Sequence, residues 1–286
     1  MQLHSLLLWN ARGLNSKLPE LKLFLSHAAP TVICITETHL QNWHDPRFPG
    51  YTTYRQDRAD GFGGLLLLVR AQTLQRAVAL DPYEGGQMQC LAVEIAHCGA
   101  WSRILLCYNP CCSITQTEFE HYFTYIGPRD LICGDFNAHH PLWSTPNTRQ
   151  NRAGGSLFNV ISNSSLMLLN TPGTPTRIDP HTGTGSVLDL IFGAAPFFTH
   201  SVSPSLDLGS DHTPLLLQYG PRQVIRVKTV PRWSLPHMND DREWTAWSGE
   251  LSKKSIPRGN TPQESQQAFS TAMIEHYPRR HGLEDV

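Results

Sequence analysis

Gly134-Asp135-Phe136-Asn137 follows directly on the apolar run Leu131-Ile132-Cys133, so a buried strand ends in an acid and an amide. Asp135 can orient or deprotonate a water there, and Asn137 can hold that water or a phosphate oxygen by hydrogen bonds. Alone the tetrad says little, because Gly and Asp are common turn residues. It has company: Asn10 ends the run Leu6-Leu7-Leu8-Trp9, Glu37 ends Val32-Ile33-Cys34-Ile35-Thr36, and Ser210-Asp211-His212 comes much later. Hydrolysis of a phosphodiester needs a group that activates water and a cation for the phosphoryl oxygens. It also needs help for the leaving alkoxide and in-line positioning. Glu37 is a hard-oxygen ligand suited to Mg²⁺, and Asn10 beside it can bind the metal's water or a phosphate oxygen. His212, if protonated, opposes charge on a nonbridging oxygen, provided a carboxylate raises its pKa and sets its ring. Asp189, inside Val187-Leu188-Asp189-Leu190-Ile191, is costly in an apolar strand unless paired, and His212 would satisfy it.

Regular elements must carry these groups to one place. Residues 3–9 form a strand, and Leu18, Leu21, Phe24 and Leu25 make one face of a helix that runs to about residue 28, with Ser16 as its N-cap. Strands are expected at 31–36, 51–57, 64–70, 88–96, 103–108, 130–134, 166–169, 187–192 and 213–218, and helices at 115–126 and 154–162. Residues 138–153 and 193–209 are polar loops beside the site motifs. Hairpin-like strands mixed with few helices predict two facing sheets covered by helices rather than a βαβ repeat. After Tyr219-Gly220-Pro221 the character changes. Residues 221–286 carry Trp233, Trp244, Trp247 and more charge, and read as a linker or tail with a short amphipathic helix near 241–251.

Composition sets outer bounds. The 286 residues are 40% hydrophobic and 16% charged, enough for one sizeable core. A net charge of −1 gives no overall electrostatic support for nucleic-acid binding, so a local basic groove would have to supply it. The 14 histidines show no metal spacing, and the 7 cysteines include no C-x-x-C pair. Cys34, Cys107 and Cys133 lie in apolar runs and read as buried, reduced thiols, while Cys111-Cys112 reads as part of a turn. No apolar run is long enough to span a membrane and no signal peptide is evident. A reducing intracellular compartment is expected.

Each residue also has a purely structural explanation. Glu37-Thr38 can begin a loop, Asp189 can pair with Arg177, and Ser210-Asp211-His212-Thr213-Pro214 can be an Asx turn. Asn10 can be a turn residue and Tyr108 core or turn. These explanations fare worse together, because the polar residues recur at the ends of apolar strands, where scaffolded sites are built. So assembled, the chain resembles the endonuclease/exonuclease/phosphatase superfamily, and within it the apurinic-like endonuclease domain of non-LTR (LINE-type) retrotransposons. The stretches that carry this are Leu8-Trp9-Asn10-Ala11-Arg12-Gly13-Leu14, Thr36-Glu37-Thr38-His39-Leu40, Gly63-Gly64-Leu65, Tyr108-Asn109-Pro110, Gly134-Asp135-Phe136-Asn137-Ala138-His139-His140, Thr174-Pro175-Thr176-Arg177, Ser186-Val187-Leu188-Asp189 and Ser210-Asp211-His212.

The resemblance implies a four-layer α/β/β/α two-sheet sandwich over residues 1–220, dependence on Mg²⁺ with Mn²⁺ as substitute, and nicking of one strand of double-stranded DNA to leave a 3′-hydroxyl that primes reverse transcription. Element RNA and a reverse transcriptase domain are then the implied partners, with 221–286 resembling the spacer before that domain. Asn10 and Glu37 match the metal-site pair, with Asp211 as a second acid. Tyr108 matches a phosphate-contacting tyrosine, Asp135 and Asn137 the water-activating pair, and Asp189 with His212 the Asp–His pair. Thr176 and Ser210 match supporting positions. Arg12 departs from the cellular apurinic endonucleases, which usually carry Asp there. The competing expectations are an abasic-site endonuclease or phosphoesterase of the same superfamily, and a co-opted DNA-binding module without turnover.

Overall fold

The computed structural model describes residues 4–97, 100–110, 113–194 and 198–221, with Thr245, Gly249, Lys253 and Glu264 as isolated positions. Chain contacts separate a unit of residues 1–224 from one of residues 225–286, and both sheets lie in the first. The helix expected near 241–251 falls, apart from Thr245 and Gly249, outside the described residues, as does Cys111-Cys112.

The first sheet is built from β1 (His4–Asn10), β2 (Val32–Thr36), β3 (Tyr51–Gln56), β4 (Leu65–Arg70) and, from the far end of the unit, β13 (Phe198–Pro204) and β14 (Leu215–Pro221). Its order is β13-β14-β1-β2-β4-β3. The second sheet takes β5 (Gln75–Val78), β6 (Gln89–His97), β7 (Ala100–Tyr108), β8 (Leu131–Asp135), β9 (Leu166–Leu168) and β12 (Asp189–Ala194), in the order β5-β6-β7-β8-β12-β9. A two-stranded ribbon, β10 (Arg177–Ile178) and β11 (Gly185–Ser186), stands apart. Among the described residues three α-helices complete the unit, α1 (Leu18–Ala28), α2 (Gln116–Phe123) and α3 (Arg152–Ser162), with a short 3-10 helix at Asn15–Lys17.

The central strands are apolar on both faces because both faces are covered. Leu6, Leu8, Val32, Cys34, Leu65 and Leu67 point between the sheets and meet Val93, Ile104, Leu106, Cys133 and Ile191 of the second. Their alternate neighbours Leu7, Trp9, Ile33, Ile35, Leu66 and Leu68 point outward and pack on Leu21, Phe24 and Leu25 of α1. On the far side, Leu105, Cys107, Ile132 and Phe192 pack with Phe119, Tyr122, Leu157 and Ile161 of α2 and α3. The layers are therefore α/β/β/α, the expected sandwich. Burial of each such Leu, Ile or Phe contributes roughly 1.5–3 kcal/mol.

Two departures from the expected elements have one cause. Residues 198–204, expected within a loop, form β13, and 75–78 form β5. Each is an edge strand paired on one side only, β13 with β14 and β5 with β6. Edge strands carry polar residues where inner strands are apolar, so Thr199, His200, Ser201 and Gln75, Arg76 hide the pattern.

Candidate active site

The strand ends at one rim of the sandwich bring together residues far apart in sequence. β1 and β2 run parallel with Asn10 opposite Thr36, so Asn10 and Glu37 emerge side by side. In the second sheet Tyr108 of β7 lies opposite Asp135 of β8, and Asp135 lies opposite Asp189 of β12. The 209–214 turn before β14 delivers His212, which bridges to Arg177 of β10. Asn10, Asp135 and Asp189 are almost wholly buried, and His212 is 5% exposed.

Asn10 joins the two sheets. Its Nδ2 donates to Glu37 Oε1 and to Asp135 Oδ2, both at 2.8 Å. Its Oδ1 accepts from the Arg12 backbone N–H at 2.9 Å. The Arg12 backbone N–H fixes which end of the amide is which, since it can only donate and so must meet Oδ1. The other oxygen of Asp135, Oδ1, accepts from Asn137 N at 3.0 Å. Asn137 Nδ2 donates to Asn109 O at 2.7 Å, and Asn137 itself sits at φ +44°. Glu37, at φ +48°, shares this left-handed backbone, which is uncommon outside glycine and recurs at functional turns.

The Asp–His pair forms as expected: His212 Nδ1 is 2.7 Å from Asp189 Oδ2. Asp189 thus does not pair with Arg177, which instead donates from Nε to Asp211 Oδ2 at 3.0 Å. Thr176 Oγ1 accepts from the backbone N–H groups of Leu188 and Asp189, both at 3.0 Å, and so pins the start of β12. Ser210 Oγ accepts from His212 N at 3.2 Å, closing the turn that aims the imidazole. Burial opposes charge on His212, but the charge of Asp189 and its hydrogen bond prevail and raise the pKa to about 9. Burial, followed by the charge of Asp189, raises Asp135 to about 7. Tyr108 is pushed up by burial and by Glu37 and Asp135, so its phenol stays neutral and a donor.

Asp135, Asp189 and His212 offer ligand atoms within 4.8 Å of one another, a group that could hold a metal ion. Asp189 Oδ1 is buried without a hydrogen-bond partner, a costly state for a carboxylate oxygen. Asp135 and Asp189 place two acids beside one histidine, with Glu37 joined to Asp135 through Asn10, and a divalent cation suits that excess of acids. A proton on His212 competes with a metal for the ring, and Mg²⁺ prefers oxygen ligands, so Glu37 and the carboxylate oxygens are the fitting donors. The expected metal set is placed differently from its expected use: the Asn10 nitrogen, not its oxygen, faces Glu37, and Asp211 Oδ2 is held by Arg12 at 2.7 Å as well as by Arg177.

Several contributors were not singled out from sequence. Asn109 is fully buried, with its N–H on Asp135 O and its Nδ2 on Phe136 O at 2.5 Å. Asn151 caps α3 through Gly154 N, and its Nδ2 donates to Asn137 O at 2.8 Å. Asn170 holds Asp189 O and Ile191 N. Their signal is a buried amide beside a motif, which sequence alone does not distinguish from a turn residue.

The fold and this rim make a four-layer α/β/β/α sandwich with a polar site at one end of its strands, the architecture expected from the resemblance to the endonuclease/exonuclease/phosphatase superfamily. Residues 102–216 match a family model described as endonuclease-reverse transcriptase. The chain is 29% identical over 219 residues to the probable RNA-directed DNA polymerase from transposon X-element of Drosophila melanogaster, covering 74% of this chain and 24% of that protein. It is likewise 29% identical over 213 residues to the RNA-directed DNA polymerase from mobile element jockey of Drosophila funebris, covering 73% and 23%. The chain thus spans about a quarter of the length of these curated relatives. In fold it matches the endonuclease domain of TRAS1, a telomere-specific non-LTR retrotransposon, with a TM-score of 0.60 and 17% identity over 77% of this chain and 99% of that one. An AP endonuclease from Archaeoglobus fulgidus matches with a TM-score of 0.54 and 16% identity over 75% and 98%. The chain is thus similar in fold to the endonuclease domain of a non-LTR retrotransposon, and in sequence to part of the RNA-directed DNA polymerases of mobile elements.

Proposed function

We propose that the chain is a Mg²⁺-dependent endonuclease that nicks one strand of double-stranded DNA, leaving the 3′-hydroxyl from which a retrotransposon primes reverse transcription. The observation that carries this reading is the Asp135–Asn10–Glu37 bridge between the sheets, with Asp189–His212 beside it. Asp135, held through both oxygens, orients and deprotonates the attacking water. His212, protonated and fixed by Asp189, donates to a nonbridging phosphate oxygen. Tyr108 donates its phenolic hydrogen to the same phosphate, and Asn137 holds the Asp135 turn. Glu37 would hold Mg²⁺, which supplies positive charge to the phosphoryl oxygens and the leaving alkoxide. Residues 221–286 are then a spacer toward a reverse transcriptase domain, element RNA is the later template, and the point of action is the nucleus.

A supercoiled-plasmid assay tests this reading. Mg²⁺ should convert the plasmid to open circle, EDTA should stop it, and the product ends should be extended by a DNA polymerase. Asp135→Ala and His212→Ala should each lower the rate by several orders of magnitude with the fold intact, since acid–base and electrostatic contributions are each typically ~10²–10⁴-fold. A folded wild-type protein that leaves the plasmid supercoiled would move the assignment to small phosphate esters or to a binding module.

A further inference from the structure

The Asp211 carboxylate shows why Arg12 stands two residues after Asn10. Arg12 Nη1 lies 2.7 Å from Asp211 Oδ2, and Arg177 Nε lies 3.0 Å from the same oxygen. Two guanidinium groups therefore share one carboxylate oxygen, and Arg177 has a second acid, Asp179, 3.9 Å from its Nη2. Asp211 is 7% exposed and Arg177 29%, but the Arg12 side chain is 53% exposed, so its remaining donors face solvent. The loop that presents it is braced. Arg12 sits at φ +44°, its N–H is bound by Asn10 Oδ1, and Lys17 Nζ donates to the carbonyls of Ala11, Arg12 and Gly13. A planar guanidinium with one edge on a carboxylate and the other free is suited to binding phosphate oxygens. A divalent ion on Asp211 would sit against two permanent cations, whichever oxygen it used.

We propose that Arg12 is a built-in cation of this site: it binds a backbone phosphate of the DNA, and Asp211 is its buttress rather than a metal ligand. This rests on the DNA-nicking reading above, and the test separates the two. Duplex DNA binding is measured in EDTA, where no turnover occurs, across a range of salt concentrations. For Arg12→Gln, affinity should fall about tenfold and the log–log salt slope should become shallower by about one. In parallel, Mn²⁺ binding to the DNA-free full chain is followed by electron paramagnetic resonance. Asp211→Asn should keep wild-type Mn²⁺ affinity, whereas Glu37→Gln should lose at least about tenfold. The phosphate role is overturned if Arg12→Gln binds DNA with wild-type affinity and slope. The buttress role is overturned if Asp211→Asn weakens Mn²⁺ binding as much as Glu37→Gln does. A wild-type protein with no DNA affinity sinks the nicking reading itself and takes the proposal with it.

Discussion

Asp189 governs two neighbours in the same direction. Against the effect of burial its charge raises His212 to about 9, and, after burial, it is the next contributor that raises Asp135 to about 7. Water activation needs Asp135 ionised and phosphate binding needs His212 protonated. The pH profile of kcat/KM for nicking should therefore be a bell, rising through about 7 and falling through about 9. Asp189→Asn should move both limbs to lower pH, besides lowering the maximum. A profile whose limbs stay in place would detach Asp189 from both groups. The same shifts bear on stability. His212 is raised above 6.5, so its contribution is complete below about pH 6.5 and disappears as pH rises through about 9. Asp135 is raised above 3.8, so its contribution is likewise lost as pH rises from about 3.8 through about 7. Urea midpoints should thus decline between pH 6.5 and 9, and less so in Asp189→Asn.

Strands and helices place these residues through contacts that tolerate little change. Gly134 lies in β8 where the parallel neighbour β7 passes close, and a Cβ there would fall 1.8 Å from the Cys107 carbonyl oxygen. Only glycine fits, so Gly134→Ala should destabilise the domain by about 3 kcal/mol or more through forced backbone displacement. Thermal unfolding checks this, and an unchanged Tm would mean that β7 and β8 can part at no cost. Asn151 has a double duty, capping α3 and holding Asn137 O. Loss of the cap in Asn151→Ala should cost about 1 kcal/mol. The loosened Asn137 turn should also lower kcat more than it raises KM, which steady-state kinetics would separate. The 138–153 loop owes its shape to the same region: Trp143 is fully buried, its Nε1 donates to Ala138 O at 2.8 Å, and His140 stacks on Phe158.

For the molecule as a whole, a net charge of −1 means that the proposed DNA affinity would have to come from a local rim rather than from a general basic surface. Arg12, Arg177 and protonated His212 gather at that rim around Asp211 and Asp189. Duplex affinity should fall steeply with added salt, because phosphate contacts release counterions. Isothermal measurements at several salt concentrations check this, and a flat profile would argue against duplex DNA as the partner.

The central strands, α1 to α3 and the motif-bearing strand ends were legible in the chain itself. Runs such as Leu6-Leu7-Leu8-Trp9 or Leu131-Ile132-Cys133 read as strands buried on both faces, and the polar residue that ends each run then falls at the rim of the sandwich. Edge strands β5 and β13 were not legible, because a strand paired on one side needs no apolar signature. The Asp189–His212 pair was expected, with Arg177 as the alternative partner, but spacing could not say that Arg177 would go to Asp211 or that Asn10 would turn its nitrogen to Glu37 and Asp135. Such pairings depend on the register between strands and on the packing of one sheet against the other, and both are set by contacts between residues as distant as Asn10 and Asp135.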